Sequence, residues 1–527
     1  MSHARRSFSQ AEIDAENADP VVVYHAADEE GIDKVEESPS SLDDEAEDAN
    51  EEELIQQYNA GNAVDEENTP IRTQSRLQRI QTQLSFFSSK LQGERTKLAL
   101  DFGKIYLIMG FFVLTIFSIY WGSCYKRDLR FRNLEFLVVI DEDTGLSGYD
   151  TVGDALIKTL QTPEAEFYGK WNVFNYTTFL EKAQKHNNTI RDEVIREVHH
   201  QKYWAAIHVN ANATGNLLEA LRTANGSYTS TNNTITAIYE TGRDMVAMPA
   251  YVVPGLYIAE DLWLSDSKNV TTNLANSLSD SERSALFDSS DALNLLTNPL
   301  SFEYIDRIPV TDLVLIAPSQ VGLIYMIILT FFNVNFFSEI HQRVKMYGIK
   351  NHHYLLYRLL ASMTSYLWLS LMYSFVTLGM QVDFTVAFGK SGFLVYWMTS
   401  WLTMWVVGSV NEIVAMWCIL FYPPLMGFWL LFWVIVNIAP TFAPLALSPK
   451  VFRYGYGLPL HNSYEITKVI FCNTYKGQLG RNYGILFAWA ILGIFVFLGT
   501  IVVFGKTMGK RKAAAAAKEA AAKNEKH

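Results

Sequence analysis

The amino-acid sequence predicts a polytopic α-helical membrane protein with six transmembrane helices and a large, glycosylated, extracytoplasmic α/β domain between the first two helices. Two observations carry this prediction: long uncharged apolar runs, and six N-glycosylation sequons that all fall in one polar segment. Of the 527 residues, 49% are hydrophobic and 19% are charged. The charged fraction lies below the roughly 25% of an average globular protein. This composition argues against a soluble single-domain enzyme.

The N-terminal segment, residues 1–70, is strongly acidic. It holds 21 Asp and Glu residues against three basic residues, so its local charge is −18 and the remaining 457 residues carry +6. High charge with few large apolar side chains predicts a disordered cytosolic tail. Ser7, after Arg5-Arg6, and Ser38, before Pro39, are candidate phosphorylation sites in this tail. The alternative is a tail that is merely solvated.

Residues 71–104 predict a basic amphipathic juxtamembrane helix. Six apolar side chains recur at helical spacing and form one stripe: Leu77, Ile80, Leu84, Phe87, Leu91 and Leu98. Basic side chains surround the stripe, and Glu94 is the one acidic residue between positions 71 and 100. We expect this helix to bind the anionic lipids of the cytosolic leaflet through residues 71–100. Packing against the protein's own cytosolic loops or a partner helix is the alternative.

Six apolar runs predict the transmembrane helices, at 105–124 and at about 313–338, 359–380, 392–412, 424–445 and 484–505. The first run has 20 residues, enough to cross about 30 Å of hydrocarbon. Between Lys390 and Lys450 the one charged residue is Glu412, and this stretch is too long for a single span. A turn at Pro423-Pro424 or at Asn411-Glu412 would divide it. A five-span arrangement remains the alternative.

The sequons predict the orientation of the chain in the membrane. All six asparagines lie between the first and second apolar runs: Asn175, Asn187, Asn212, Asn225, Asn232 and Asn269. Because glycosylation occurs on the exterior or lumenal side, residues 125–312 are expected there, together with the loop 446–483. Both termini are then cytosolic, and the distribution of Lys and Arg agrees in part. The tail 506–527 is basic and alanine-rich, with the composition of a helical spacer.

The segment 125–312 predicts an α/β domain. We expect strands at Leu134–Ile140, Trp204–Val209 and near Thr234–Tyr239, and a helix at Asp154–Leu160. The sequence has no phosphate-binding loop, no nucleophile elbow and no zinc-protease motif, and none of its Cys and His residues has metal-ligand spacing. We therefore expect no enzyme activity, no catalytic residue, no cofactor, no metal site and no nucleic-acid partner.

Three motifs carry a resemblance to a known family. They are Ser118–Ser123 at the end of the first apolar run, Val138–Asp143 in the first predicted strand, and Tyr454–Asn462 before the last run. Together they resemble the fungal nitrosoguanidine-resistance membrane protein family. The membrane domain of that family is itself similar to ABC-2-type permeases and to the bacterial phage-infection-protein group. The resemblance covers roughly residues 98–508.

The resemblance implies a plasma-membrane protein that confers resistance to toxic compounds such as nitrosoguanidine, by export of amphipathic molecules or lipid. It implies a small-molecule or lipid substrate and a separate ATPase or signalling partner. We also expect a homo-oligomer. The alternative is a non-transporting regulator or scaffold of membrane lipid asymmetry or sphingolipid-linked signalling. A cell-surface protein whose glycosylated domain recognises an exterior ligand is a third hypothesis.

Glu412 is the first candidate for a transport residue. An ionisable group within a membrane segment costs about 2.5–3.5 kcal/mol or more, so it usually lines a polar interior. We expect Ser409 and Asn411 to hydrogen-bond its carboxyl group; if the chain turns at Asn411-Glu412, the carboxylate is a solvated loop acid instead. Asn333, Asn335 and Gln320 are further pore-lining candidates, with hydrogen bonding between helices as their alternative role.

The loop 446–483 predicts one short helix, Ser463–Phe471, opened by a capping box between Asn462 and Glu465. This segment is either a re-entrant element covered by protein or a surface loop with an amphipathic helix. Cys124 and Cys472 fall on the same exterior side and could form a disulfide, with Cys418 as a buried thiol.

Overall fold

The computed structural model of the chain describes residues 92–142, 151–231, 233–297, 300–310 and 312–524. The chain divides into two compact units, Met1–Lys97 and Leu98–His527. The predicted acidic tail with Ser7 and Ser38 lies outside the described residues, as does most of the predicted amphipathic helix.

The first described helix, α1, is Gln92–Cys124. Its 33 residues give it a length of about 50 Å, so it begins well before the predicted span. Ile116 and Ser123 are its buried residues, and most of its large apolar side chains are exposed. This pattern is typical of a membrane helix at the edge of a bundle, where lipid covers the apolar surface.

A five-stranded sheet with helices on both faces follows α1, and we call residues 128–312 the sheet domain. Along the chain it contains β1 (Glu135–Ile140), α2 (Val152–Leu160), α3 (Pro163–Tyr168), β2 (Lys170–Phe174), α4 (Tyr176–Gln184), α5 (Ile190–His199), β3 (Ala205–Val209), α6 (Ala213–Arg222), β4 (Ile235–Tyr239), α7 (Val253–Asn276), α8 (Asp280–Asp288), α9 (Asn294–Thr297) and β5 (Phe302–Asp306). The strand order is β2-β1-β3-β4-β5. All neighbouring strands are parallel except β3 and β4.

The central strands of this sheet are buried on both faces. In β1, Phe136 and Val138 pack into the cluster on one face, while Leu137 and Val139 pack into the cluster on the other. A continuous apolar run is what a parallel strand covered on both faces requires. The three strands expected from such runs correspond to β1, β3 and β4. The edge strands β2 and β5 carry more polar and half-exposed residues, which explains why the sequence pattern did not predict them.

The membrane bundle contains the remaining elements. They are α10 (Gly322–Met346), α11 (Asn351–Gly379), α12 (Thr385–Phe388), α13 (Gly392–Phe421), α14 (Leu425–Phe442), α15 (Pro459–Cys472) and α16 (Leu479–Asn524). Helical turns from Leu313 to Val321 extend α10 at its start.

Six helices of the described chain are long and apolar enough to cross a membrane: α1, α10 with its preceding turns, α11, α13, α14 and α16. This number of candidate spans agrees with the six that the sequence predicts and does not support the five-span alternative. The chain turns at Tyr422–Pro424, between α13 and α14, because a proline pair cannot continue a helix. Glu412 consequently lies inside α13 and not in a turn.

The two ends of the bundle differ in what they contact. The end of α1 and the start of α10 flank the sheet domain, so we call this end sheet-proximal and the opposite end sheet-distal. The sheet domain contacts the bundle through a hydrogen bond from the Asn133 side chain to the carbonyl of Ala446, at 2.8 Å. Among the bundle helices, α13 is central, since α10, α11, α14, α15 and α16 all pack against it.

The predicted glycosylation sites lie on the sheet domain. Asn175, Asn187, Asn212, Asn225 and Asn269 are all exposed, and Asn232 lies outside the described residues. Asn175 has a second role, since its side-chain oxygen accepts a hydrogen bond from the Thr178 backbone N–H and caps α4. Exposure makes these five side chains accessible to modification, and their glycosylation stays a prediction.

Two substitutions at the Asn175 sequon separate its glycan from its helix cap. Asn175→Gln should remove one glycan and also destabilise the sheet domain by about 1 kcal/mol, because the N-cap is lost. Thr177→Ala should remove the same glycan and leave the cap in place. Gel mobility before and after endoglycosidase treatment, with thermal unfolding of both deglycosylated proteins, tests this. An unchanged mobility for wild-type protein after treatment would contradict the predicted exterior orientation.

Candidate functional site

The Glu412 carboxylate is buried inside the bundle, with 3% of the residue exposed. Its Oε2 accepts a hydrogen bond from Arg358 Nη2 at 2.8 Å, and its Oε1 accepts one from the Tyr366 hydroxyl at 2.7 Å. Both partners belong to α11 and lie eight residues apart, so they project from the same face of that helix. Arg358 and Glu412 thus form an ion pair between α11 and α13 that is shielded from solvent.

The expected partners of Glu412 were wrong. Ser409 donates instead to the backbone carbonyl of Trp405 in its own helix, and the Asn411 side chain bonds other helices. The sequence analysis missed Arg358 because that residue directly precedes a predicted span. In the structure α11 begins at Asn351, which places Arg358 two turns inside the helix. The sequence did contain a signal for this pairing: a basic residue beside the boundary of one predicted span and an acidic residue inside another.

Asn411 holds three helices together. Its amide nitrogen donates to the Ile327 carbonyl and to the Thr330 hydroxyl, each at 3.1 Å, and its oxygen accepts from the Trp429 indole N–H at 3.1 Å. These bonds join α13 to α10 and α14. They use most of the hydrogen-bonding capacity of a fully buried amide, so the observed role of Asn411 is to connect helices.

The other polar candidates separate into two groups. Asn333 is buried and accepts a hydrogen bond from the Ser365 hydroxyl, and Gln320 is buried and donates to the Tyr464 hydroxyl at 3.1 Å. Both are contacts between elements of the bundle. Asn335 is exposed on the outer surface of α10, so the structure does not bring it to Glu412.

A cavity of about 130 Å³ adjoins the ion pair in the sheet-distal half of the bundle. Four helices line it: α10 with Asn333, Val334, Ser338, His341, Gln342 and Lys345; α11 with Tyr354 and Arg358; α13 with Glu412, Ala415, Met416 and Ile419; and α16 with Ile501 and Phe504. We call it the ion-pair cavity. It is the place where charged and polar side chains from α10, α11 and α13 converge.

An apolar groove of about 770 Å³ runs between α10 and α11. Its lining is Phe337, Ile340, His341, His353, Leu356, Tyr357, Leu360, Ala361, Thr364, Ser365 and Trp368. We call it the lateral groove. Two hydrogen bonds across the seam between these helices separate it from the ion-pair cavity: Ser365 to Asn333, and His341 Nδ1 to the Tyr357 hydroxyl at 3.0 Å.

The helix α15 occupies the sheet-proximal end of the bundle. Every residue of α15 except Glu465 is buried, so this segment is covered by protein. It begins at Pro459, a residue suited to the first helical position, and Leu458 is the N-cap. The predicted capping box at Asn462 is therefore wrong; the Asn462 side chain donates to the Leu458 and Tyr456 carbonyls instead.

A charge pair on α15, between the buried Lys468 and the partly exposed Glu465, connects this helix to the sheet domain. Lys468 Nζ donates to Glu465 Oε1 and to the backbone carbonyl of Arg243, both at 2.8 Å. Burial alone would raise the pKa of the Glu465 carboxyl, but the charges of Lys468 and His461 outweigh it, and the pKa is lowered. The glutamate is thus kept ionised and the lysine satisfied.

The predicted disulfide is not formed. Cys124, Cys418 and Cys472 are free, and Cys124 Sγ accepts a hydrogen bond from Arg127 at 3.1 Å. Cys472 is buried at the end of α15, and burial raises the pKa of its thiol to about 11. The described residues contain no group of three His, Cys, Asp or Glu side chains that could hold a metal ion.

Comparisons with known proteins give a family and a relative. The sequence model of a family described as a protein of unknown function, DUF3533, matches residues 105–495. A Saccharomyces cerevisiae protein described as an uncharacterized endoplasmic reticulum membrane protein is 34% identical over 446 residues, which are 82% of this chain and 86% of the relative. No solved structure matches the chain.

Asn411 and Ser409 form a matched pair for testing which polar group stabilises the bundle. Asn411→Ala should lower the free energy of unfolding by about 1–2 kcal/mol, because it breaks contacts between three helices. Ser409→Ala, two residues away, should change it little, since the Ser409 hydroxyl bonds only its own helix. Thermal unfolding of the purified protein in detergent measures both. Equal losses for the two variants would contradict the assignment.

Proposed function

From the premise that this chain belongs to the DUF3533 family, we propose that it is a permease-like membrane protein that exports amphipathic molecules or lipid. Such export would confer resistance to toxic compounds such as nitrosoguanidine. The resemblance to the nitrosoguanidine-resistance family and to ABC-2-type permeases supports the proposal. So does one structural observation, the Arg358–Glu412 pair buried inside the bundle.

The ion pair supports a role in transport because placing charged side chains inside a membrane bundle costs free energy. A charged side chain at the centre of a membrane helix costs about 2.5–3.5 kcal/mol or more, and residues of this kind commonly mark substrate or ion pathways. A pair of apolar side chains of similar volume would hold α11 against α13 at no such cost. The charges also adjoin a cavity lined by four helices, where a change in helix packing would alter access.

The surroundings of the pair favour an amphipathic substrate. The lateral groove is apolar and open, whereas the ion-pair cavity on the other side of the α10–α11 seam is lined by polar and charged groups. A molecule with an apolar body and a polar head finds both environments within a short distance. Moving the head across would require two hydrogen bonds to open, the one that Asn333 accepts from Ser365 and the one between His341 and Tyr357.

The proposed permease needs an energy source for transport and a membrane in which it resides. The sequence has no phosphate-binding loop for ATP, so a separate ATPase, another partner or an ion gradient would supply energy, and the chain would work as a homo-oligomer. The relative is described as an endoplasmic reticulum membrane protein, whereas the resemblance implies the plasma membrane. We propose the plasma membrane as its residence, as efflux from cells requires, with both termini cytosolic; a fluorescent tag on the full chain distinguishes this location from the endoplasmic reticulum.

Removing both charges at once tests whether the pair acts in transport or only in folding. Glu412→Gln alone leaves a buried unpaired arginine and should destabilise the protein by about 3–5 kcal/mol. The double variant Arg358→Met/Glu412→Met removes both charges and should be folded, because replacing a buried pair by apolar residues is often neutral or stabilising. The Tyr366 hydroxyl loses its acceptor in this variant, which costs about 1–3 kcal/mol, less than an unpaired buried charge. We expect this variant to reach wild-type abundance and to lose efflux of labelled nitrosoguanidine from cells.

Lys350→Gln is the control, because Lys350 is exposed at the sheet-distal end and does not line the cavity. It should retain wild-type efflux. Efflux by the folded double variant at the wild-type rate would assign the ion pair a structural role. Resistance without any efflux by wild-type protein would replace the permease with a regulator or scaffold.

A further inference from the structure

The ion-pair cavity adjoins a buried hydrogen-bond donor that has no acceptor within the described chain. Both oxygens of Glu412 are engaged, by Arg358 and by Tyr366. Arg358, whose side chain is 9% exposed, also has a buried Nη1 without a hydrogen-bond partner within the described chain. A buried guanidinium N–H that lacks an acceptor costs free energy, so it favours a ligand that brings one.

Lys345 adds an uncompensated positive charge to the same cavity. It lies in the last turn of α10, and among the described residues it forms no salt bridge. Its ammonium lies 5.8 Å from the centre of the Tyr354 ring, and 2.8 Å from the point that a Cβ at Gly505 would occupy. The glycine in α16 therefore lets the lysine head approach closely. With Arg358 and Glu412 cancelling, the cavity carries one net positive charge.

We propose that the ion-pair cavity binds the anionic head, a phosphate or a carboxylate, of an amphiphile. The inference deepens the proposed function and rests on it for the role of the bound molecule. Arg358 Nη1 and Lys345 Nζ would donate to the oxygens of the head, and charge-assisted hydrogen bonds of this kind are about twice as strong as neutral ones. Gln342, which also lines the cavity, brings a further donor, whereas the Ser338 hydroxyl already donates to the Asn335 carbonyl.

The size of the cavity limits what part of the molecule enters it. Its volume is about 130 Å³, against about 770 Å³ for the lateral groove. One phosphate or carboxylate group fits, but an acyl chain does not. The chain would lie in the lateral groove, whose lining is largely apolar and which shares His341 with the cavity. This bound state requires the His341–Tyr357 hydrogen bond across the seam to open. The ligand class is therefore a single-headed anionic lipid or fatty acid.

Binding to the purified full-length chain in a neutral detergent tests the proposal without any transport step. The probes are dioctanoyl phosphatidic acid, dioctanoylglycerol, octanoate and inorganic phosphate, measured by native mass spectrometry. Phosphatidic acid should bind, and dioctanoylglycerol, with the same chains but no anion, should bind at least about tenfold more weakly, the loss of one charge-assisted hydrogen bond. Similar affinities for the two would overturn the proposal.

The variant Lys345→Gln should weaken phosphatidic acid binding by about tenfold, and Lys350→Gln, which changes the net charge equally, should not. Equal weakening by both variants would show general attraction to a positive surface and overturn the site. Competition by millimolar inorganic phosphate would identify the anion itself as the ligand recognised. Competition by octanoate but not by phosphate would show that the head is recognised together with a chain.

The binding result and the efflux result can fail separately. Loss of efflux in the charge-free double variant, together with no selective binding of anionic amphiphiles, would keep the permease and reject this substrate class. Selective binding without efflux by any variant would keep the site and reject the permease. Thermal unfolding of Lys345→Gln, expected at the wild-type temperature because the lysine is exposed, excludes misfolding as the cause of weakened binding.

Discussion

The bundle depends on one constraint: a polar group in a membrane helix must find its partner within the protein. In the central helix α13, two adjacent polar residues meet this constraint, each with partners on different neighbouring helices. Asn411 bonds α10 and α14, while Glu412 pairs with two residues of α11. Two neighbouring side chains thereby fix the positions of three helices around the centre. Apolar packing between the same helices would not select one arrangement so strictly, because lipid is as apolar as leucine.

Asn411 and Glu412 differ in whether hydrogen-bonding groups around them remain unpaired. Asn411 lies among acceptors and donors that match it, so its surroundings are complete without a ligand. The cluster around Glu412 is not complete, since Arg358 has a buried N–H without an acceptor in the described part of the chain and Lys345 brings a further charge. If this polar network only stabilised the fold, an acceptor for the unpaired Arg358 N–H would make the fold more stable. The unpaired donors therefore indicate that the surroundings of Glu412 are suited to binding a ligand, whereas the surroundings of Asn411 are structural.

Hydropathy alone predicted the six spans and the strands β1, β3 and β4, because contact with lipid, or burial of a strand on both faces, leaves long apolar runs in the sequence. It also predicted that Glu412 is costly if buried. The pairing of Glu412 could not be predicted, since Arg358 is 54 residues away in sequence and only the packing of α11 on α13 brings it close. The edge strands and the N-terminus of α15 were missed for a related reason. Their residues are fixed by tertiary contacts, and local pattern carries little of that information.

The contacts of α13 also link the sheet domain to the ion pair. Near its sheet-proximal end, Thr403 donates to Ser463 of α15 at 2.8 Å, and α15 in turn holds the Arg243 carbonyl of the sheet domain through Lys468. Nine residues further along α13, Glu412 holds Arg358. Because α13 is one continuous helix, a rigid displacement along its axis moves both contacts together. A ligand on the sheet domain that shifts α15 would thus act on the same helix that an anionic head engages at the sheet-distal end.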